Sequence, residues 1–481
     1  MLASIITAAL QGAAAILLLV VGVLLTLRLY IRHKKKNQLP HLRQDPGSVV
    51  VGFFHPYCNA GGGGERVLWC AIKALQKKYP AVQCVVYTGD QDATGEEILQ
   101  KAWQRFNIKV SRPVEFVYLT RRDWVEAKTW PYFTLLGQSM GSVFLGWEAL
   151  CKLVPDVYID TMGYAFTIPL FKYIGGCQTG CYVHYPTISN DMLERVAQRT
   201  ESYNNRRVIS KNPVLSFFKL VYYHMFAFAY GVAGKRSDVI MVNSSWTLGH
   251  ILHLWRAASK TSIVYPPCDV EEFLKLPLKE EDSQRTTHTI VSIAQFRPEK
   301  DHDLQLRSFH EFLKKKSNQE ISQYKLILIG SCRNAGDVAR VEELRVTVKD
   351  LGLEDSVEFL LNVSFEELKK QLHHATIGLH TMWNEHFGIG VVEIMAAGTI
   401  VLAHNSGGPK MDIVVDRKGT KTGFLASDIT SYADAMETIF NLTPQERMEI
   451  RMNARESVKK FSEEEFSQGF LSCVSCILEE K

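Results

Sequence analysis

Apolar positions in this chain fall into short runs separated by longer stretches of helical spacing, and one long apolar run precedes them all. Ser48–Phe54, Val82–Thr88, Val114–Leu119, Val157–Asp160, Gln178–His184 and Val239–Asn243 are rich in β-branched and aromatic residues. Continuous runs of this kind fit parallel strands buried on both faces. A helix is expected over about Glu65–Tyr79. A second series follows at Thr289–Ala294, Tyr324–Gly330, Val357–Leu361, Thr376–His380 and Thr399–Ala403, with helical spacing over Asp303–Lys316 and Val338–Leu351. Between the two series, Tyr265 to about His288 contains Pro and many charges and reads as a linker. Ser462–Glu480 reads as a last helix. Strand–helix alternation predicts an α/β chain of two parallel sheets covered on both faces. Ligands of such sheets sit beyond the carboxyl ends of the strands, so two halves facing one another would make a cleft.

The leading run carries no charge from Met1 to Leu27, and Ile5–Leu27 is nearly all apolar. As a helix those residues span roughly 34 Å, enough for a hydrocarbon core. Arg28, Arg32, His33, Lys34, Lys35 and Lys36 follow at once. Such a cluster stays in the cytosol, which puts the amino terminus in a lumen and the body in the cytoplasm. A cleaved signal would carry its basic residues before a shorter run. The expected plan is therefore an N-terminal transmembrane anchor with its basic flank (1–36), a polar linker (Asn37–Gly47), domains at 48–265 and 286–461, and a terminal helix at 462–481. Within the first domain, Val214–Val232 crowds aromatic rings around Lys219 and His224, with Arg206, Arg207, Lys211, Lys235 and Arg236 at its flanks. A helix in the headgroup layer and a core helix both fit that pattern.

Composition narrows this picture. At 481 residues and 46% apolar the chain can hold two ordinary domains. Lys plus Arg number 55 against 51 acids, so no nucleic acid or other polyanion is implied as a partner. Ten cysteines in so long a chain do not make a disulfide framework. Cys473/Cys476 and Cys177/Cys181 lack the second pair that a zinc site needs. Sequons at Asn243, Asn362 and Asn441 matter only if the body enters a lumen.

Chemistry concentrates at predicted strand ends. Glu385-His-Phe-Gly-Ile-Gly-Val-Val-Glu393 follows a strand and opens a helix, whose free N–H groups can hold a diphosphate. Eight helical residues separate the two acids by roughly 12 Å at most, which suits the two ends of an extended ligand. Arg297 and Lys300 follow the first strand of the same half and could neutralise phosphates. Ser331 ends the next strand in a small turn where a nucleotide could rest. In the first half, the Gly61–Gly64 loop contains no GK[ST] and does not complete G-x-G-x-x-G, which excludes a P-loop. His184 stands where a strand should end at the same cleft.

Jointly, the Gly61–Gly64 loop, the His184 strand end, the Arg297/Lys300 segment and Glu385–Glu393 resemble the retaining glycosyltransferases of family four, with the GT-B architecture. The likeness covers nearly everything after the anchor. By that resemblance Glu385 contacts the transferred sugar, Glu393 the ribose, and Lys300 and Arg297 the diphosphate. Backbone groups of Phe387, Gly388 and Ile389 complete the donor site, and no metal ion or other cofactor is needed. Glu385, His184 and Lys300 are the catalytic candidates. One departure is Gln295, which stands where the family has arginine; Arg297 would then act from two residues later.

More narrowly, Phe54–Val67, Tyr182–Ser189 and Gln295–His302 resemble dolichol-linked oligosaccharide α-1,2-mannosyltransferases of the endoplasmic reticulum. That implies transfer of the fourth and fifth mannoses from GDP-mannose to a dolichol-diphosphate-linked glycan, with retention, on the cytosolic face. Membrane lipids and other early mannosyltransferases of the pathway are the implied partners. A UDP-sugar enzyme on another lipid acceptor shares most of these motifs, and a silent subunit of a glycosylation complex is a further alternative. A dinucleotide oxidoreductase could appeal to Asp90, but the glycine spacing fails it.

Overall fold

The computed structural model describes residues 2–42, 48–198, 212–278, 287–332, 334–416 and 419–479. Arg206, Arg207 and Lys211 lie outside them, as does much of the charged stretch before His288. The chain divides into two compact units. One comprises the chain up to Asn243, Thr247–Val264 and the end from Ser467; the other comprises Ser244–Trp246 and Tyr265–Phe466.

The first unit holds a seven-stranded parallel sheet of β1 (Val49–Phe54), β2 (Val82–Thr88), β3 (Glu115–Tyr118), β4 (Val157–Asp160), β5 (Gln178–Val183), β6 (Val239–Val242) and β7 (Thr261–Ile263). Their order is β3-β2-β1-β4-β5-β6-β7, with Val51 of β1 opposite Cys84 on one side and Val157 on the other. Burial on both faces explains the unbroken apolar run of β1. Strand order reverses between β1 and β4, and a reversal opens a crevice beyond the carboxyl ends.

A six-stranded parallel sheet forms the second unit: β8 (His288–Ile293), β9 (Tyr324–Gly330), β10 (Val357–Leu361), β11 (Ile377–His380), β12 (Ile400–His404) and β13 (Phe424–Ala426). Its order, β10-β9-β8-β11-β12-β13, reverses between β8 and β11. The expected strands are all present. Edge strands β7 and β13 were not expected, because three residues are too few to show a period. The stretch read as a linker carries the short helix Val270–Leu274, whose Val270 and Phe273 share a face and are buried.

The leading helix runs Leu2–Leu42, so the polar stretch from Asn37 begins as helix rather than linker. Ala14–Gln38 is long and apolar enough to cross a membrane. Toward its end the helix is fastened to the first unit. Ile31 is buried in that core, Lys35 Nζ donates to Pro155 O (2.9 Å) and sits 3.3 Å from Asp156 Oδ1, and Gln38 donates to Lys152 O. Helix Pro213–Gly234 splits the aromatic stretch between two sides, one of them in the core. Tyr223, Phe226 and Tyr230 are buried, while Phe217, Phe218, Met225 and Phe228 are exposed. The last helix, Glu463–Glu479, buries Val474 and Ile477.

Candidate active site

In the second unit the functional side chains leave the carboxyl ends of the two strands at the reversal. After β8, Pro298–Lys300 form a single turn, and Asp301 caps helix His302–Leu313 by accepting from Leu304 N at 3.2 Å. Thr381, just beyond β11, donates to Lys300 O (2.9 Å) and accepts from Gln305 Nε2 (2.9 Å). With its backbone so held, Lys300 brings its ammonium to Glu385 Oε2 at 2.5 Å and to Met382 Sδ at 3.2 Å. His380, the last residue of β11, places Nε2 3.3 Å from the same carboxylate oxygen.

Burial by itself would raise the Glu385 carboxyl. Lys300 and His380 outweigh it and hold the group well below the usual carboxylate range. Burial, helped by Lys300, lowers His380 against the pull of Glu385. Near neutral pH the Glu385 carboxyl is therefore ionised and the His380 imidazole neutral.

The Glu385 loop is braced by the chain after β12. Asn384 N donates to Ser406 Oγ (2.8 Å), Gly408 N donates to Glu385 O (2.8 Å), and His404 Nδ1 lies 2.8 Å from Ser406 Oγ. Gly407 has φ +59, and a Cβ there would lie 2.3 Å from Glu385 O, so only glycine fits. Gly388, at φ +109, caps helix Ile389–Ala397 in a conformation that side chains rarely adopt. Phe387 is buried against Tyr265 and Phe461, and Trp246 stacks on His386 at 5.3 Å. Glu393 is half-buried within the same helix, and Ser331 is half-buried after β9.

Lys300, Glu385, Phe387, Gly388 and Ile389 are thus assembled on adjoining loops. Arg297 is not part of that cluster: it is exposed, with Nη1 3.8 Å from Glu299 Oε1. Sequence reasoning passed over His380 and the Ser406–Gly408 brace. Consecutive glycines before Pro409 at a strand end were a usable signal for the brace; a histidine at the end of a short apolar strand was not.

A second cluster belongs to the first unit. His55 follows β1 and His184 follows β5, and Thr161, just past β4, touches both. Its Oγ1 lies 2.8 Å from His55 Nδ1, and its carbonyl 3.1 Å from His184 Nε2. Asn243 Nδ2 donates to His184 O at 2.8 Å. The glycine loop reaches this place: a Cβ on Gly64 would lie 3.5 Å from His184 Nε2 and 3.9 Å from His55 Cε1. Gly61 has φ +76, and Gly62 caps helix Gly63–Lys78 with its N–H on Glu65 Oε1. Asp90, to which a dinucleotide reading could appeal, instead pairs with Arg122 and accepts from Asn59 N, pinning the start of the loop.

Burial, with a smaller contribution from His184, lowers His55 to about 3. Burial pushes Asp160 up to about 7 despite N–H groups from Met162, Gly163 and Tyr164. His55 was also missed, although His55-Pro56 echoes the His184-Tyr185-Pro186 pattern at a strand end.

Comparison with known proteins adds the following. Residues 48–255 match the family model "ALG11 mannosyltransferase N-terminus", and 278–457 match "Glycosyl transferases group 1". A Xenopus laevis GDP-Man:Man(3)GlcNAc(2)-PP-Dol alpha-1,2-mannosyltransferase is 59% identical over 92% of this chain and 90% of its own. The Homo sapiens protein of that name is 58% identical over 94% and 92%, and that of Dictyostelium discoideum 48% over 91% and 86%. Among solved structures, Anabaena Alr3699/HepE in complex with UDP and glucose aligns with TM-score 0.58 at 16% identity, covering 89% of this chain and 99% of that one. The OtsA apo structure aligns with TM-score 0.61 at 13% identity, covering 88% and 98%. These two likenesses concern the fold, that of GT-B proteins.

Proposed function

This chain belongs to the family of GDP-Man:Man(3)GlcNAc(2)-PP-Dol alpha-1,2-mannosyltransferases, and from that premise we propose how its two clusters carry out the transfer. It is a membrane-associated enzyme that moves mannose from GDP-mannose to a dolichol-linked oligosaccharide. GDP-mannose is an α-glycosyl phosphate and the new bond is α, so configuration is retained. The acceptor named for the relatives has three mannoses, so the first product has four; addition of the fifth is part of the same proposal.

The observation that carries the mechanism is the partly buried Lys300–Glu385 contact at the β8/β11 reversal. As the glycosyl bond breaks, negative charge grows on the departing GDP. Lys300, on a braced backbone, supplies a fixed cation for it, and the start of helix Ile389–Ala397 supplies oriented N–H groups. Glu385, kept ionised, holds the hydroxyls of the mannose, and Glu393 the ribose. His184, fixed by Thr161 and Asn243, serves the reacting sugar from the first unit's strand ends. No divalent ion takes part in this scheme. Arg297 adds only a peripheral charge.

The body lies on the cytosolic face of the endoplasmic reticulum, where GDP-mannose is made, alongside other early mannosyltransferases. The test is transfer of radiolabelled sugar to a trimannosyl dolichol-diphosphate acceptor from GDP-mannose and from UDP-sugars. Transfer from UDP-sugars alone would overturn the donor assignment. Protease added outside sealed microsomes should digest the body, and full protection of residues after Lys36 would overturn the orientation.

A further inference from the structure

Outside the two clusters, the first unit carries an exposed apolar face without a role. Helix Pro213–Gly234 exposes Phe217, Phe218, Met225 and Phe228 on one side, at 61%, 64%, 68% and 75%. Its opposite side is packed into the core through Tyr223, Phe226 and Tyr230, so this helix cannot cross a bilayer and can only lie along one. Helix Thr134–Lys152 begins beside it. Tyr222 OH accepts from Leu136 N (3.0 Å), and its ring meets Phe133 edge-on at 5.3 Å. Tyr132 and Phe133 are 82% and 67% exposed, and Phe133 is held at φ 50, a conformation unfavourable for a bulky residue.

Two observations say what covers this face. The unit that bears it also holds the end of the leading helix, through Ile31 in the core and Lys35 on Pro155 and Asp156, so the face is carried by the same unit as a helix long and apolar enough to cross a bilayer. Its charge also suits lipid: 127–147 and 213–234 contain no acid, only Lys128, Lys219 and His224. A face that repels no anionic headgroup and is rich in aromatic rings fits the boundary between headgroups and acyl chains. We propose that this two-helix face is a second lipid contact, seated in the membrane that receives helix Leu2–Leu42. It steadies the first unit at the depth where a lipid-linked acceptor presents its glycan. That last clause rests on the function proposed above; the lipid contact does not.

Full-length protein is reconstituted in vesicles of phosphatidylcholine and phosphatidylserine carrying a diazirine acyl-chain probe, and adducts are mapped by mass spectrometry. Adducts should appear within 132–144 and 214–228 as well as in the leading helix. Adducts confined to the leading helix overturn the proposal. So does a vesicle-borne dimer that cross-links through this face, which assigns it to a second copy. In parallel, the double variant Phe218→Ser/Phe228→Ser, at exposed positions and checked for an unchanged Tm, is assayed on two acceptors. Its kcat/KM for a long-chain dolichol-linked acceptor in vesicles should fall about tenfold, the scale of losing part of two aromatic insertions. Transfer to a water-soluble short-chain analogue should be unchanged. Equal loss on both acceptors, or none on either, overturns the proposal, whereas wild-type inactivity on both would instead refute the proposed function.

Discussion

Lys300 Nζ and His380 Nε2 approach one oxygen of Glu385, at 2.5 Å and 3.3 Å, so a single carboxylate links the segments that leave β8 and β11. Pairing of this kind fixes both partners before any donor arrives. Lys300→Ala should lower single-turnover transfer by about 10²–10³. It should also destabilise the chain by about 1–3 kcal/mol, because Glu385 keeps a poorly compensated charge. Lys300→Met combined with Glu385→Gln should restore Tm without restoring transfer. Recovery of both would make the pair structural only.

Chelation separates this scheme from a metal-assisted one. Under the proposed scheme, in which Lys300 and the helix start neutralise the charge on the leaving group, wild-type turnover should be unchanged by EDTA. Activity abolished by EDTA and restored by a divalent ion would refute that assignment.

Glu393→Ala should weaken GDP-mannose binding by about 1–3 kcal/mol, the value of a hydrogen bond to a charged group, with little change in turnover. Titration of GDP binding by calorimetry checks it, and unaltered affinity would remove Glu393 from the donor site.

Gly407→Ala asks whether the brace positions Glu385. The added carbon would meet Glu385 O at 2.3 Å and adopt a positive φ, at a strain of about 1–3 kcal/mol. Transfer should drop more than tenfold while GDP binding changes less, because the carboxylate proposed to hold the sugar is displaced. Normal turnover would show that the Ser406–Gly408 segment does not set Glu385.

His55 gives the chain an acid-side weakness. Its folded value near 3 lies below the unfolded value of 6.5, so the neutral ring contributes stability that is complete above 6.5 and lost as pH falls toward 3. The loss can reach about 4–5 kcal/mol. Asp160 has the opposite sign: raised to about 7, it favours the fold below 3.8 and ceases to as pH rises through 7. Tm measured from pH 7.5 down to 4 should fall less steeply for His55→Gln than for wild type. Equal slopes would mean that His55 is not the group titrating.

Several features were legible in the chain alone because they depend on local rules. A strand buried on both faces must be continuously apolar, so β1, β2, β5 and β9 declared themselves, and strand–helix alternation fixed parallel sheets. Glycine before a helix start, as at Gly388, marks a tight entry into that helix, and the uncharged run before Arg28 and Lys34–Lys36 marks a helix long and apolar enough to cross a membrane. Proximity across the sheet was not legible. Strand order decides which carboxyl ends are neighbours, and that order is set by how crossover helices pack. Only the fold, therefore, put His380 and Lys300 on one oxygen of Glu385 while pairing Arg297 with Glu299. It likewise joined His55 and His184 through Thr161, although 129 positions separate the two histidines (184 − 55). The aromatic stretch shows the limit most plainly. Its composition fits core and lipid equally, and packing alone sent Tyr223, Phe226 and Tyr230 inward and left Phe217, Phe218 and Phe228 outside, because a helix face is buried only where another element covers it.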